Sequence, residues 1–173
     1  SPGSGNVIGL ATTNDDLYAF GFIWNAGGET VSGGARWNYT LNTWNALGSG
    51  LTEFSSVYAV AVSGNNVYVG GDFTTAGGNP ASKIAKWDGT SWSALGTGVN
   101  GRVRAIVVKD SSVYVGGEFT TAGGNPANYI ARWDGTTWTA LGSGTEFWVY
   151  SLAVTGDDLF VGGLFTSAGG VSA

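Results

Sequence analysis

The stretch VYVGGEFTTAGGNPANYIARWDGTTWTALG, which runs from Val113 to Gly142, decides the fold of this chain because edited copies of it account for nearly all of the sequence. Tyr68, Tyr114 and Phe160 stand 46 residues apart in equivalent positions. Pairs of glycines recur with the same spacing, at Gly70-Gly71, Gly116-Gly117 and Gly162-Gly163. Self-similarity at a fixed period identifies a repeat protein.

Each copy reads as four short strands joined by turns. In the second copy these are VYAVAVS, VYVGGDF, KIAKW and SWSALG, with turn residues at Gly64-Asn65-Asn66 and Asp88-Gly89. Alternating apolar positions predict strands, Asp-Gly predicts a tight hairpin, and no helical period appears. Four antiparallel strands in a repeat of 40 to 50 residues are typical of a β-propeller blade. We therefore predict an all-β propeller of about 46-residue, four-stranded antiparallel blades.

The repeat boundaries predict one propeller segment over residues 1–173. Blade 1 spans about 7–50, blade 2 about 57–98 and blade 3 about 103–144, and 149–173 supplies part of a fourth blade. Propellers usually close into rings with more blades, and open arcs expose unpaired strands. We expect the segment to be a portion of a larger propeller, or further copies of the chain to cover its open edges.

Glycines and tryptophans recur with the blades and are interpreted first as scaffold. Two glycines inside a strand indicate a bulge or the close approach of a neighbouring backbone. The pairs Trp37/Trp44, Trp87/Trp92 and Trp133/Trp138 could stack on sugars, but their recurrence favours packing between blades.

The charged residues suggest structural roles. Asp72 with Lys86, and Glu118 with Arg132, change type together between copies, which predicts a cross-strand ion pair in each blade. Asp-rich turns such as Gly156-Asp157-Asp158 are interpreted as hairpin turns rather than calcium loops, because no EF-hand spacing appears. We predict no metal site and no cofactor.

Composition restricts the classes of function. Only 11% of residues are charged and the net charge is −5, so we expect a neutral polar surface, an extracellular or cell-surface location and no nucleic-acid partner. The apolar runs are strand-length, so we expect no membrane insertion. The sequence contains no Cys and no His, which excludes a catalytic thiol, thiolate metal sites and a histidine base. We predict that the chain is not an enzyme.

These motifs resemble a known family of repeats. The Gly-Gly doublet on the second strand, an aromatic residue closing the third, and Trp before Leu on the fourth resemble kelch-type and galactose-oxidase-like propellers. The first hairpin, WNYTLNTW from Trp37 to Trp44, has the kelch length, whereas the later ones are two residues shorter. That shortened form, VYVGGxFTTAGG with WDGTxWxALG, looks like repeats of exported bacterial surface proteins and fungal cell-surface polarity markers. The resemblance implies the propeller fold and leaves activity open, since such propellers serve as enzymes, adhesins and binding platforms alike.

Function is expected where the copies differ. The residues selected as possible ligand or partner contacts are Trp24, Tyr39, Phe54, Phe147 and Trp148. Asn38-Tyr39-Thr40 is also a formal N-glycosylation acceptor. The first hypothesis is a non-enzymatic structural or adhesive module that has a protein or glycan partner or associates with itself. The alternatives are a multivalent, lectin-like glycan-binding propeller and, more remotely, an enzyme on a propeller scaffold.

Overall fold

A computed structural model describes residues 5–52 and 56–173, and every regular element in these ranges is a β-strand. Each of the first three blades contains four main strands and a small hairpin between the second and third. The strands of blade 1 are β1 (Asn6–Thr12), β2 (Asp16–Phe22), β3 (Asn25–Ala26), β4 (Glu29–Thr30), β5 (Gly34–Asn38) and β6 (Thr43–Ala46). Those of blade 2 are β7 (Ser56–Ser63), β8 (Asn66–Asp72), β9 (Thr75–Ala76), β10 (Asn79–Pro80), β11 (Ile84–Trp87) and β12 (Trp92–Ala94).

Blade 3 repeats the pattern, and the described part of blade 4 contains two main strands and a small hairpin. The strands of blade 3 are β13 (Val103–Lys109), β14 (Ser112–Gly117), β15 (Thr121–Ala122), β16 (Asn125–Pro126), β17 (Ile130–Trp133) and β18 (Trp138–Ala140). Those of blade 4 are β19 (Val149–Thr155), β20 (Asp158–Gly163), β21 (Ser167–Ala168) and β22 (Val171–Ser172).

The main strands pair antiparallel in chain order within each blade. The sheets run β1-β2-β5-β6, β7-β8-β11-β12 and β13-β14-β17-β18, and β19 pairs with β20. The first strands of successive blades lie next to one another, β1 beside β7, β7 beside β13 and β13 beside β19. The predicted fold class is confirmed: the chain is a β-propeller of four-stranded antiparallel blades.

The hydrophobic core lies between the blades. Phe20 and Leu47 of blade 1 pack in one buried cluster with Val67 and Trp87 of blade 2, and a second cluster joins blades 2 and 3 in the same way. A four-stranded sheet cannot bury both of its faces alone, so stacking on the neighbours stabilises each blade.

The glycine doublet lies at the predicted bulge, and the neighbour that approaches it from the next blade is a side chain rather than a backbone. A β-carbon on Gly70 would lie 2.2 Å from the Val103 side chain of the next blade, so this glycine admits a neighbour. A β-carbon on Gly71 would lie 2.0 Å from the carbonyl oxygen of Ser56, where the pairing of β7 with β8 shifts register between Val57 and Ala59. The first glycine thus permits contact between blades and the second permits the bulge.

Residues 73–81, between β8 and β11, contain the small hairpin β9–β10. Asn79 pairs with Ala76 and Pro80 with Thr75. Gly77 and Gly78, with φ of 61° and 80°, form its two-residue turn, the geometry that a right-twisted hairpin favours.

The predicted ion pairs between Asp72 and Lys86, and between Glu118 and Arg132, are wrong. Register places Lys86 opposite Tyr68 and Arg132 opposite Tyr114, which is well short of the acids. Asp72 instead pairs with Lys83 at 2.6 Å, and Glu118 accepts a hydrogen bond from Arg104 Nε at 2.7 Å. The acids lie at the end of the second strand, beyond the last residue that pairs with the third.

Candidate functional site

The propeller has two faces that differ in their connections. The upper face, as we name it, carries the small hairpins and the connections between blades. The lower face carries the turns between first and second strands and between third and fourth strands. Because Val57 pairs with Gly71 and Ile84 with Gly70, the start of β7, the end of β8 and the start of β11 all meet at the upper face.

A charged cluster lies on the upper face where blade 2 meets blade 3, and it consists of Asp72, Lys83, Arg102, Arg104 and Glu118. Arg102 bridges the two blades, with Nε 3.0 Å from Asp72 Oδ2 and Nη1 3.6 Å from Glu118 Oε2. The hydrogen bond from Lys83, and then that from Arg102, lowers the pKa of Asp72. Both acids are held as paired carboxylates at this junction.

An aromatic cluster replaces this network one blade further on, and it consists of Tyr129, Phe147, Trp148 and Tyr150. The rings of Phe147 and Trp148 stack with centroids 4.9 Å apart, and Tyr129 lies 6.1 Å from Phe147. Trp148 meets the ring of Tyr150 edge to face at 6.4 Å. Phe147 and Tyr150 are each 42% exposed, so the cluster offers solvent-accessible apolar surface.

The two clusters occupy the same positions of the repeat. With the spacing of 46 residues, Tyr129 stands where Lys83 does, Trp148 where Arg102 does and Tyr150 where Arg104 does. Phe147 takes the position of Gly101. One backbone arrangement therefore presents charge at one junction and aromatic rings at the next.

Hydrogen bonds fix the backbone that presents the aromatic cluster. Thr145 is only 6% exposed, and its Oγ1 donates to the carbonyl oxygen of Phe147 at 2.8 Å. The amide of Leu164 donates to the carbonyl oxygen of Trp148 at 2.9 Å. A loop held at both residues presents its rings with little loss of conformational entropy on binding.

A side-chain clamp that the sequence analysis missed anchors each connection to the small hairpin of the blade that follows. Thr52 Oγ1 accepts from the amide of Thr75 at 2.7 Å, Asn100 Oδ1 from the amide of Thr121 at 2.9 Å, and Glu146 Oε1 from the amide of Thr166 at 3.0 Å. Three residue types fill one role because each supplies an acceptor oxygen. The signal in the sequence was an oxygen-bearing side chain at the same place in every connection.

The predicted contact residues separate in the structure. Phe147 and Trp148 form the centre of the aromatic cluster. Trp24 lies on the upper face of blade 1, with its ring edge-on to Phe22 at 4.5 Å, and Tyr39 is 45% exposed in a turn of the lower face. Phe54 lies outside the described residues.

Tyr129 and Tyr150 complete the cluster and were not predicted. Tyr150 belongs to the recurring first strand, and Tyr129 lies just before β17 at a φ of 65°. Alignment of Tyr129 with Lys83 is the signal that could have shown this exception to the repeat.

Four of the recurring tryptophans pack against the neighbouring blade, as predicted, and they are Trp87, Trp92, Trp133 and Trp138. Trp92 is 9% exposed and its Nε1 donates to the carbonyl oxygen of Leu47 in blade 1 at 2.7 Å. Trp138 repeats this bond to Leu95 of blade 2, also at 2.7 Å. These hydrogen bonds stabilise the junctions between blades.

The polar groups of the turns are also committed to structure. Asp88 accepts from the backbone and hydroxyl groups of Thr90 and Ser91, and these hydrogen bonds, led by that from the Ser91 amide, hold the pKa of its carboxyl well below the usual range. The Nδ2 of Asn38, the atom that a glycan would need, donates to Asp16 at 2.9 Å. Within residues 5–52 and 56–173, no group of three or more acidic side chains is placed to hold a metal ion, and no helix could cross a membrane.

A family model agrees with this architecture. Residues 109–133 match the family model of a β-propeller domain of unknown function, DUF5122. A crystal structure of the computationally designed Ika8 protein is similar at 17% identity and a TM-score of 0.45, over 88% of this chain and 54% of the designed one. The chain thus spans about half the length of that protein. No curated protein matches it. The chain is a β-propeller, and its resemblance to kelch-type repeats stays a prediction.

Proposed function

We propose that this propeller is a non-catalytic adhesive module of an exported or cell-surface protein, and that it binds a protein partner through the aromatic cluster. The observation that carries the proposal is the replacement of Lys83, Gly101 and Arg102 by aromatic residues at the next junction. A scaffold role does not require the change, because the charged version supports an equivalent junction in the same chain.

The chemistry of the cluster fits protein recognition. Tyrosine and tryptophan are the residues most enriched among those that dominate binding energy at protein interfaces. Phe147 and Trp148 expose stacked rings on a backbone fixed by hydrogen bonds, so burying them against a partner removes apolar area from water at little ordering cost.

The acidic residues support a non-catalytic role. A general acid in glycoside hydrolysis needs a carboxyl with a raised pKa. Asp72 has a lowered pKa because it accepts from Lys83 and Arg102, and the turn hydrogen bonds lower those of Asp88 and Asp134.

The experiment compares the wild-type chain with the double variant F147G/W148R, which copies Gly101-Arg102 and so keeps a sequence known to fit the repeat. Binding to an array of immobilised extracellular proteins is measured by biolayer interferometry. We expect the double variant to lose about tenfold or more of the wild-type affinity, as the loss of a hot spot does. The matched control is Tyr39→Ser, which removes an exposed aromatic residue from the lower face and should bind as the wild type does.

Two results would reject the adhesive proposal. One is a wild-type chain that binds none of the immobilised proteins, and the other is a double variant that binds as well as the wild type. Circular dichroism and urea unfolding of each variant verify that the propeller is intact.

A second candidate function is glycan binding, and a cleft between blades 2 and 3 favours it. This cleft has a volume of about 250 Å³ and is lined by indole, hydroxyl and amide groups of Thr97, Asn125, Trp133, Thr136, Thr137 and Trp138. Aromatic rings with a few polar groups are the usual lining of small-ligand sites. Titration with neutral oligosaccharides, followed by tryptophan fluorescence, tests this candidate; an unchanged signal at saturating sugar counts against it.

A further inference from the structure

A tyrosine and a cation face each other across the second and third strands of every complete blade. Register pairs Tyr18 with Arg36, Tyr68 with Lys86 and Tyr114 with Arg132. In the first two blades the pair lines a cavity that opens towards the next blade. The repeat therefore places one positive charge at equivalent points of successive junctions.

The cavity between blades 1 and 2 contains its own counter-ions. It has a volume of about 260 Å³, and its lining includes the carboxylates of Asp15, Asp16 and Asp88. Asp16 is 8% exposed, and its Oδ2 lies 3.7 Å from Arg36 Nη1. The charge of half-buried Arg36 is thus balanced from within the chain.

The equivalent cavity between blades 2 and 3 contains a cation without a counter-ion. Its volume is about 120 Å³, and it is lined by Tyr68, Lys86, Ser93, Ala94, Leu95, Ser111, Trp133 and Gly135. No carboxylate is among them, since Asn66 occupies the position that Asp16 has in blade 1. Lys86 is half-buried, and its side chain forms no ion pair or hydrogen bond with any of the described residues. A partly desolvated ammonium favours an anion beside it.

The other polar groups of this cavity can donate hydrogen bonds. Burial raises the pKa of Tyr68, which keeps its phenol protonated and able to donate. Ser93 and Ser111 add two hydroxyl groups. A volume of about 120 Å³ leaves room for a carboxylate group beside the ammonium of Lys86.

Trp133 lines both this cavity and a larger polar space. The same indole lines the cleft of about 250 Å³ described above, where Thr97, Asn125, Thr136 and Thr137 supply hydroxyl and amide groups. We propose that the cavity between blades 2 and 3 binds the carboxylate of a sugar acid, with Lys86 as its counter-ion and the sugar ring against Trp133. The sugar part of the inference rests on the glycan-binding candidate, whereas the anion part rests on Lys86 and its cavity alone.

The experiment follows the amide signals of Ser111 and Gly135 by NMR during titration of the whole chain with D-glucuronate, acetate or D-glucose. We expect glucuronate to bind with a Kd on the order of 1 mM and acetate more weakly. Lys86→Gln should weaken both by about tenfold or more, because it removes a charged hydrogen-bond donor. Glucose should not shift the two signals.

A second variant keeps Lys86 and places a carboxylate beside it. Ser93 lies directly opposite Lys86 on β12, so Ser93→Asp supplies an internal counter-ion and should abolish binding of both anions. The matched control is Thr139→Asp, the equivalent exposed position opposite Arg132 in blade 3, and it should bind as the wild type does.

Each outcome has a defined meaning. Absence of anion binding, or anion binding unchanged by Lys86→Gln, overturns the proposed site. Acetate and glucuronate of equal affinity overturn the assignment to a sugar acid, while loss in both K86Q and S93D supports the anion site. If neutral oligosaccharides alone do not bind, the glycan candidate is rejected. The anion site at Lys86 is still supported in that case by the binding of acetate.

Discussion

Phe20 of β2 lies directly opposite Gly34 of β5, and its ring fills the space that a side chain at Gly34 would need. A β-carbon built on Gly34 would come within 2.5 Å of the Phe20 ring. Blade 2 reverses this distribution of volume, with Gly70 opposite Ile84, and blade 3 does so with Gly116 opposite Ile130. Blade 1 thus has its large residue on the second strand and its glycine on the third, which is the reverse of blades 2 and 3, and the core stays filled.

We predict strong energetic coupling between Phe20 and Gly34. Phe20→Gly should lower the free energy of unfolding by about 3–5 kcal/mol through the cavity that it leaves. Gly34→Ile should lower it by about 1–3 kcal/mol through overpacking. The double variant reproduces the arrangement of blade 2. Its loss of unfolding free energy should be smaller than the sum of the two single losses by at least about 1 kcal/mol. Urea unfolding provides the measurement, and strict additivity of the two changes would contradict the exchange.

The sequence was sufficient to predict the blades because their signals are local and repeated. Strand alternation, Asp-Gly turns and the period of 46 residues identified every main strand, and recurrence correctly assigned Trp92 and Trp138 to packing. The reason for Phe20 in place of a glycine was not apparent, because Gly34 lies 14 residues further along and meets it only through strand register.

The ion pairs and half of the aromatic cluster escaped prediction for the same reason. Covariation of Asp72 with Lys86 suggested contact, but residues of one blade can change together without touching. Lys83 contacts Asp72 because it adopts a φ of 66° at the end of a tight connection. A lysine in the sequence does not predict this conformation. Tyr129 shares that conformation, and its place beside Phe147 follows from it.

We predict measurable coupling between Asp72 and Lys83 and none between Asp72 and Lys86. The side chains of Asp72 and Lys83 are 35% and 21% exposed, so solvent screening limits the coupling to about 0.5 kcal/mol. Double-mutant cycles with Asp72→Asn, Lys83→Gln and Lys86→Gln, read by urea unfolding at low salt, give both values. A larger coupling to Lys86 would restore the original cross-strand interpretation.

Stability should fall in acid, because the carboxyl groups with shifted pKa values are shifted downwards. These are Asp72, Asp88, Asp134, Glu146 and Asp157. A carboxyl whose pKa is lower in the folded state stabilises that state above its unfolded pKa, and the contribution is lost as the pH falls through the folded pKa. We expect the urea midpoint to hold at neutral pH and to decline below about pH 4, where unfolded carboxyls begin to protonate.

Asp134→Asn isolates this effect in one turn. Hydrogen bonds from the amides of Thr137 and Thr136 are the main causes of the lowered pKa, and asparagine keeps an acceptor oxygen while it removes the charge. The variant should have a lower urea midpoint than the wild type at neutral pH, and the difference should shrink in strong acid. The control is Asp158→Asn, because the side chain of Asp158 is exposed and accepts no hydrogen bond from the described residues. A difference that grows towards acid would have the wrong sign for this mechanism.

The indole hydrogen bonds between blades should contribute more to the free energy of unfolding than the indoles of the first blade do. Trp138→Phe keeps most of the packing but removes one of the two hydrogen bonds to the carbonyl oxygen of Leu95, which still accepts from the Gly98 amide, so we expect a loss of about 0.5–1.5 kcal/mol in the free energy of unfolding. Trp44 is half-buried at the equivalent position in blade 1, and its indole nitrogen donates to none of the described residues. Trp44→Phe should therefore cost less than Trp138→Phe in parallel urea titrations. Equal losses would mean that ring volume, and not the bond to the preceding blade, sets the stability of the junction.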